Sequence, residues 1–456
     1  MSCTLDSFNV RDASATASFH TEPFNIQHIM KKYFFLSFFL LSLAPSAFSQ
    51  QYDVLEKVKS DPRKMAAMEG MHRFDSVSIS RPPKGYKPFY INHYARHGSR
   101  YSCNSSVYQG FHEDFSKADS ADVLTPAGKR FFEQFEQFYK YPLINTGDLL
   151  PRGFEEHKKI GGILYDSFPE VFRKNKRVEA LSSLSERCIV SMGACSIGMM
   201  SRDRNLDIVQ RADHAGMAVI VPPGAPKPLK RTFKGQFDEP RLPNQWDYYD
   251  EHIDYKSVLL NFFTDPYIID TTNRGWFGFC RDIFTLTGNY KNHCYDARFD
   301  GIIPEDQMLM LWEAFNYNSF YGDINRRYAV IPLLEDFMRT AEDAIAGNGV
   351  AANLRFGHDW ILEAFLTLIN VNNMGVIPET VSDVKYWFQS YVVEMAANVE
   401  FVLYKNRPGD IIFKVVLNES DATLPYLTPV SGCYYKWSDF RDWVNKLLAD
   451  HPQINQ

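Results

Sequence analysis

Cysteine is scarce in this chain, seven among 456 residues, and no two of them stand in C-x-x-C spacing. The usual sequence signature of a thiolate metal site is therefore missing. Positive charge is in short supply as well: 49 lysines and arginines meet 55 acidic residues, for a net charge of −6. Such a balance excludes the electrostatic footprint of a nucleic-acid binder. Internal repeats and low-complexity tracts are absent, and the one long apolar run lies near the N-terminus. Aromatics are plentiful, with 36 Phe and 25 Tyr. The length suffices for a substantial core, as one large domain with an insertion or as two domains.

The apolar run reads naturally if Met30 is the start. From there the chain runs Met30-Lys31-Lys32, an almost wholly apolar Tyr33–Ala44, and then Pro45-Ser46-Ala47-Phe48-Ser49-Gln50. These are the n-region, h-region and cleavage pattern of a signal peptide. Residues 1–29 accordingly read as upstream translation and 30–49 as the signal, and the expected location is secreted or periplasmic. The h-region is too short for a comfortable membrane span, so no stable membrane insertion is expected after cleavage. No cysteine follows it to carry a lipid. Six cysteines remain beyond the signal, an even number that an oxidising compartment could pair. Cys280 with Cys294 is the favoured pair, because the two bracket an aromatic, loop-like stretch. Cys188 and Cys195 lie two turns apart on an expected helix and are too distant to bridge.

The pattern along the chain is α/β. Phe89 and Ile91 belong to a strand that runs into Arg96. Thr125-Pro126 is an N-cap followed by proline at the first helical position, after which Phe131, Phe132, Phe135 and Phe138 recur at helical spacing. A second helix follows Pro151-Arg152-Gly153 and carries His157 and Lys158. Arg177–Leu181 reads as a strand, with a helix from about Glu186. Strands alternating with helices argue for a mostly parallel sheet covered on both faces. From 201 to 330 the alternation breaks down, through a proline-rich stretch (Pro222 to Pro228) and an aromatic-rich one. Lys227, Lys230, Arg231 and Lys234 read as a solvated charge run. After Pro332 a helical face returns, and Val399–Tyr404 and Ile411–Asn418 read as two strands around Arg407-Pro408-Gly409.

Two constellations carry chemistry. Arg96-His97-Gly98-Ser99-Arg100 follows the first strand and sets an imidazole between two guanidinium groups. Fixed positive charge holds such an imidazole in its neutral, nucleophilic form, while the arginines can grip phosphate oxygens in bidentate fashion. The second is His358-Asp359, after Leu354–Gly357 and before a helical run through Ile361, Leu362 and Phe365. That places the pair on a strand-to-helix turn, where unpaired amides favour an anion. His93 and His97 have the i, i+4 spacing of helix-borne zinc ligands, but on a strand they would stand about 13 Å apart and could not share one ion.

Together these residues resemble the histidine acid phosphatases, the branch of the histidine phosphatase superfamily that includes bacterial phytases and multiple inositol polyphosphate phosphatases. The signature R-H-G-x-R-x-P is matched through Arg100, and Ser102 stands where proline is usual. His358-Asp359 is similar to the downstream H-D pair, a form that leans toward acid phosphatases and phytases rather than the H-A-E of animal-type inositol polyphosphate phosphatases. The stretch Leu181–Met192 resembles the segment that supplies a further phosphate-binding arginine, here Arg187. The resemblance spans about Gly85 to Asn370 and implies a core of 50–200 with 331–456, and a mainly α-helical cap inserted as 201–330.

What the resemblance implies for chemistry is specific. His97 would attack phosphorus, Arg96, Arg100, Arg187 and a protonated His358 would hold the oxygens, and a protonated Asp359 would serve the leaving group. No metal or other cofactor is called for, and acidic pH should favour the reaction. The partner is a small anionic phosphate ester, with inositol polyphosphates such as phytate as the substrate class. A general acid phosphatase, a glucose-1-phosphatase, a phosphohistidine mutase and a non-catalytic phosphate-ligand binder are the other readings. Motifs carry nothing on oligomeric state.

Overall fold

A computed structural model describes residues 53–454 apart from 75–76, 237–241, 244, 273 and 291–300. The expected upstream segment and signal peptide lie outside the described residues. Strands β1 (Lys87–Arg96), β2 (Arg177–Ser182), β3 (Asp207–Ala212), β5 (Ala352–Gly357), β6 (Asn398–Lys405), β7 (Ile411–Leu417), β9 (Pro429–Ser431) and β10 (Tyr434–Lys436) form one sheet in the order β3-β2-β5-β1-β6-β7-β10-β9, and β8 (Ser420–Ala422) pairs with β7. The run from β3 to β1 is parallel throughout, whereas β6 onward is antiparallel. Strands β4 (Thr232–Phe233) and β11 (Gln453–Ile454) make a separate short ribbon.

The alternation of side chains along β1 explains why both faces are covered. Tyr90 and Tyr94 enter one hydrophobic cluster, whereas Ile91 and Ala95 enter another, as the two-residue period of a strand requires. The second cluster is completed by α3 (Pro151–Ser167) and α4 (Glu186–Met200), through Leu164, Met192 and Met199. Toward the first cluster lie α7 (Ile331–Ile345) and α8 (Asp359–Leu368), whose Phe337 and Phe365 rings meet at 5.0 Å. Helix α9 (Trp437–Asp450) packs Phe440 against Phe413 of β7.

The remaining helices build an aromatic layer. Phe111 and Phe115 of α1 (Ser105–Ser120) and Phe131 and Phe135 of α2 (Pro126–Phe138) pack with Phe262, Phe263 and Phe279, the last on α5 (Gly275–Tyr290). Helix α6 (Glu305–Arg326) joins the same cluster through Trp312 and Phe320. Thr125 caps α2 as its sequence suggests, its hydroxyl accepting from the Gly128 amide at 2.9 Å. Within the stretch 201–330, β3 extends the sheet beside β2, while Phe111 of α1 and Phe131 of α2, from the stretch 50–200, pack against its Phe279 and Phe262.

The cysteine pairing departs from expectation. Cys103, Cys188, Cys195, Cys280 and Cys433 are free thiols, and Cys294 lies outside the described residues. Cys280 is not at the edge of a loop: it sits inside α5, which continues through Tyr290. No helix among the described residues is long and apolar enough to cross a membrane.

Candidate active site

Three neighbouring parallel strands deliver the site residues. Arg96, the last residue of β1, is in register with Gly357, the last of β5. The next residues are His97 and His358, and the His97 amide donates to the Gly357 carbonyl at 3.0 Å. On the far side of β5, Ser182 of β2 pairs with Phe356, and the chain turns through Ser183 into α4, whose first turn carries Arg187. The site therefore lies at the carboxyl ends of parallel strands, where open α/β sheets place their ligands.

The loop after β1 is braced from beneath by α3. A Cβ on Gly98 would fall 2.4 Å from the Gly153 carbonyl oxygen, and one on Gly153 the same distance from that of Ser99. Only two glycines permit this approach. Glu156 accepts from the Ser99 amide at 2.8 Å and from its hydroxyl at 2.7 Å, and His157 Nε2 donates to the Arg96 carbonyl at 2.9 Å. Ser102, where the family pattern has proline, has a use for its amide: it donates to the Tyr108 hydroxyl at 3.0 Å.

His97 is buried, and its Nδ1 lies 3.0 Å from the Gly98 carbonyl oxygen. A carbonyl only accepts, so Nδ1 carries the proton and Nε2 keeps its lone pair. Burial, followed by the charges of Arg96, Arg100 and Arg187, holds the imidazole well below its usual pKa. The His97 and His358 rings stand edge to face at 5.7 Å. His358 is oriented by the Ser183 hydroxyl, 3.2 Å from its Nε2, and its amide donates to the Tyr94 hydroxyl at 3.2 Å.

Arg96 and Arg100 are anchored but only partly used. Arg96 donates through Nη1 to the carbonyls of Met68 and Val393, and its Nη2 lies 2.8 Å from Asp359 Oδ2. Arg100 donates to the Tyr101 carbonyl and reaches Glu69 at 3.5 Å. The Nε groups of Arg96, Arg100 and Arg187 are buried and meet no acceptor among the described residues.

Charge states in this site differ from those expected. Burial, together with the charges of Arg187, Arg96 and Arg100, outweighs the opposing Asp359 and lowers the His358 pKa to about 4. Burial alone would raise Asp359, yet Arg96, Arg100 and the Trp360 amide bring it down to about 2. At neutral pH burial and the arginine charges keep the imidazole neutral, and Arg96 and Arg100 keep the carboxyl ionised. Sequence reasoning overlooked Glu156, Ser183, Glu69 and Ser191, whose hydroxyl accepts from the Gly98 amide at 3.1 Å. A mid-helix glutamate carries no local signal, although Ser183 could have been found from its place at the end of β2.

No family model matches the sequence, and no curated protein matches it either. Solved structures do. The Bifidobacterium longum multiple inositol polyphosphate phosphatase in complex with inositol hexasulfate aligns at TM-score 0.70 and 18% identity, over 86% of this chain and 99% of that one. This chain has the fold of that phosphatase. The phytase from D. castellii aligns at TM-score 0.58 and 14% identity over 85% of each chain. Hafnia alvei phytase in complex with myo-inositol hexakis sulphate follows at 0.51 and 12%, over 80% of this chain and 98% of that one.

Proposed function

We propose that the chain is a histidine-type phosphomonoesterase of the histidine acid phosphatase kind. The observation that carries this reading is the buried His97, with Nδ1 tied to the Gly98 carbonyl and, around it, three arginines whose Nε groups meet no acceptor among the described residues. In the first step His97 Nε2 bonds to phosphorus as the ester O–P bond breaks, and Asp359 passes a proton to the departing alkoxide. Water then attacks the phosphohistidine, giving its proton to Asp359 and releasing phosphate and His97. Arg96, Arg100, Arg187 and His358 hold the equatorial oxygens and neutralise charge that grows during transfer.

A bound phosphate reconciles this scheme with the charge states of the protein alone. Its negative charge offsets the arginines that depress Asp359 and His358, so both groups gain proton affinity when substrate arrives. Inositol polyphosphates, phytate among them, are the substrate class we favour, since two of the structures sharing this fold hold an inositol hexasulfate. Export through the 30–49 segment fits such a substrate.

The test is phosphate release from phytate, glucose 1-phosphate and p-nitrophenyl phosphate across acidic and neutral pH, with a chelator present, comparing wild type with His97→Ala. Strong, His97-dependent release that prefers phytate is expected. Equal release from all three would reduce the assignment to a general acid phosphatase, and none would remove the phosphatase reading.

A further inference from the structure

A pair of acids lies behind Asp359 that the reaction scheme leaves unused. Asp359 opens α8, and Glu363 follows one turn later, its i, i+4 neighbour on one helix face. Glu363 and Asp323, which faces it from α6, are both buried, and their carboxyl groups lie within hydrogen-bonding contact. Neither Glu363 oxygen meets a donor among the described residues, nor does Asp323 Oδ2. Asp323 Oδ1 accepts from Arg326 Nη2 at 2.9 Å, the one ion pair that either acid makes among those residues.

Ionised carboxylates only accept, so two in contact repel unless a proton lies between them. Arg326 brings one positive charge to two acids and is itself partly exposed. The elements packed against α8 carry further titratable groups: Glu305, Asp306, Glu313, Tyr317, Tyr321 and Arg326 on α6, Arg327 and Tyr328 on the turn that follows it, Tyr391 near Ser390, and Lys87, Tyr90, His93, Tyr94 and Arg96 on β1. Arg326 and, on α8 itself, Asp359 are the charges that act on the pair most strongly. Arg327 donates to the Gly375 carbonyl and Arg96 Nη2 is held by Asp359, so neither is directed at the pair. Burial, which penalises a second negative charge, raises both acids, Asp323 to about 6.

We propose that Asp323 and Glu363 share one proton, and that the single negative charge this leaves behind Asp359 opposes the arginines and lets Asp359 take up its proton when substrate binds. The pair is a positioning element, and its role rests on the reading of Asp359 as the acid. Substrate need not touch it.

Two measurements on the full chain decide the matter. Infrared spectra at neutral pH should show the carbonyl stretch of a protonated carboxylic acid in wild type that Glu363→Gln removes; identical spectra would overturn the shared proton. The double variant Asp323→Asn with Glu363→Gln keeps a hydrogen-bonding pair but removes its charge. For an alkyl phosphate, the alkaline limb of its kcat profile should move about one unit toward lower pH, while p-nitrophenyl phosphate, a better leaving group, is turned over within twofold of wild type at acidic pH. An unmoved limb would overturn the electrostatic role. If the double variant does not fold, the infrared difference still decides the proton. Wild type without phosphatase activity would sink the role given to Asp359, and the role of the pair with it, yet leave that infrared result readable.

Discussion

Arg96 Nη2 stands 2.8 Å from Asp359 Oδ2, so the arginine proposed to grip phosphate also restrains the carboxyl proposed to serve the leaving group. In the proposed reaction one guanidinium thereby couples binding to proton transfer: phosphate competing for Arg96 would loosen the hold on Asp359 and raise its proton affinity at the moment it is needed.

Asp359→Asn should therefore lower kcat for alkyl phosphates by about a hundredfold or more, and far less for p-nitrophenyl phosphate. In wild type, kcat for an alkyl phosphate should fall with rising pH through an apparent pKa well above the value of about 2 held in the protein alone. Equal losses on both substrates, or a limb near that value, would show that Asp359 is not the acid.

Glu156 anchors the catalytic loop at two points of Ser99. Glu156→Ala would leave a buried amide without an acceptor, costing about 2 kcal/mol, and would free the loop that aims His97. Denaturant unfolding should show the loss of stability, and kcat should fall more than KM changes.

The contact between Gly98 and Gly153 tolerates no side chain. A methyl group in Gly153→Ala would stand 2.4 Å from the Ser99 carbonyl oxygen, an atom of the backbone that cannot swing aside. We expect about 2 kcal/mol of destabilisation and a displaced nucleophile loop. A variant as stable and active as wild type would mean that α3 does not brace the loop.

Stability should depend on pH through His72. Burial opposes its charge, but Glu419, 2.8 Å from Nε2, and Glu394 outweigh this and raise its pKa to about 9. A folded pKa above the unfolded one gives stability that is complete below about 6.5 and lost as pH rises through about 9. The contribution is of the order of 3 kcal/mol. Thermal unfolding of wild type should weaken across that window, while His72→Gln, less stable at acidic pH, should lack the dependence.

The parts of the site that are short and local were legible in the sequence. Arg96 to Arg100 could be placed on the loop after a strand and His358-Asp359 on a strand-to-helix turn, because apolar runs precede both and, for the second, a helical run follows. Pro126 marked a helix start, while the helix expected after Pro151-Arg152-Gly153 begins at Pro151 itself. Long-range relations carried no such signal. Nothing in the sequence aligns Glu156 with Ser99 or Asp323 with Glu363, since each contact depends on how helices pack. The Cys280 expectation failed for a related reason: an aromatic stretch that looks loop-like stays helical because Phe279, Ile283 and Leu286 are buried in the aromatic layer. The protonation states at 358 and 359 likewise depend on burial, and on arginine charges that for His358 come from two distant segments.

The register that sets Arg96 opposite Gly357 joins points about 260 residues apart. Closing a loop of that length is slow compared with forming the helices it contains. A chain refolding from denaturant should thus regain its far-ultraviolet helical signal early and its ability to form phosphohistidine late, in step with the zipping of β1 onto β5. Until those two strands meet, His97 and His358 belong to separate pieces of polypeptide, and the molecule has most of its secondary structure but no active site.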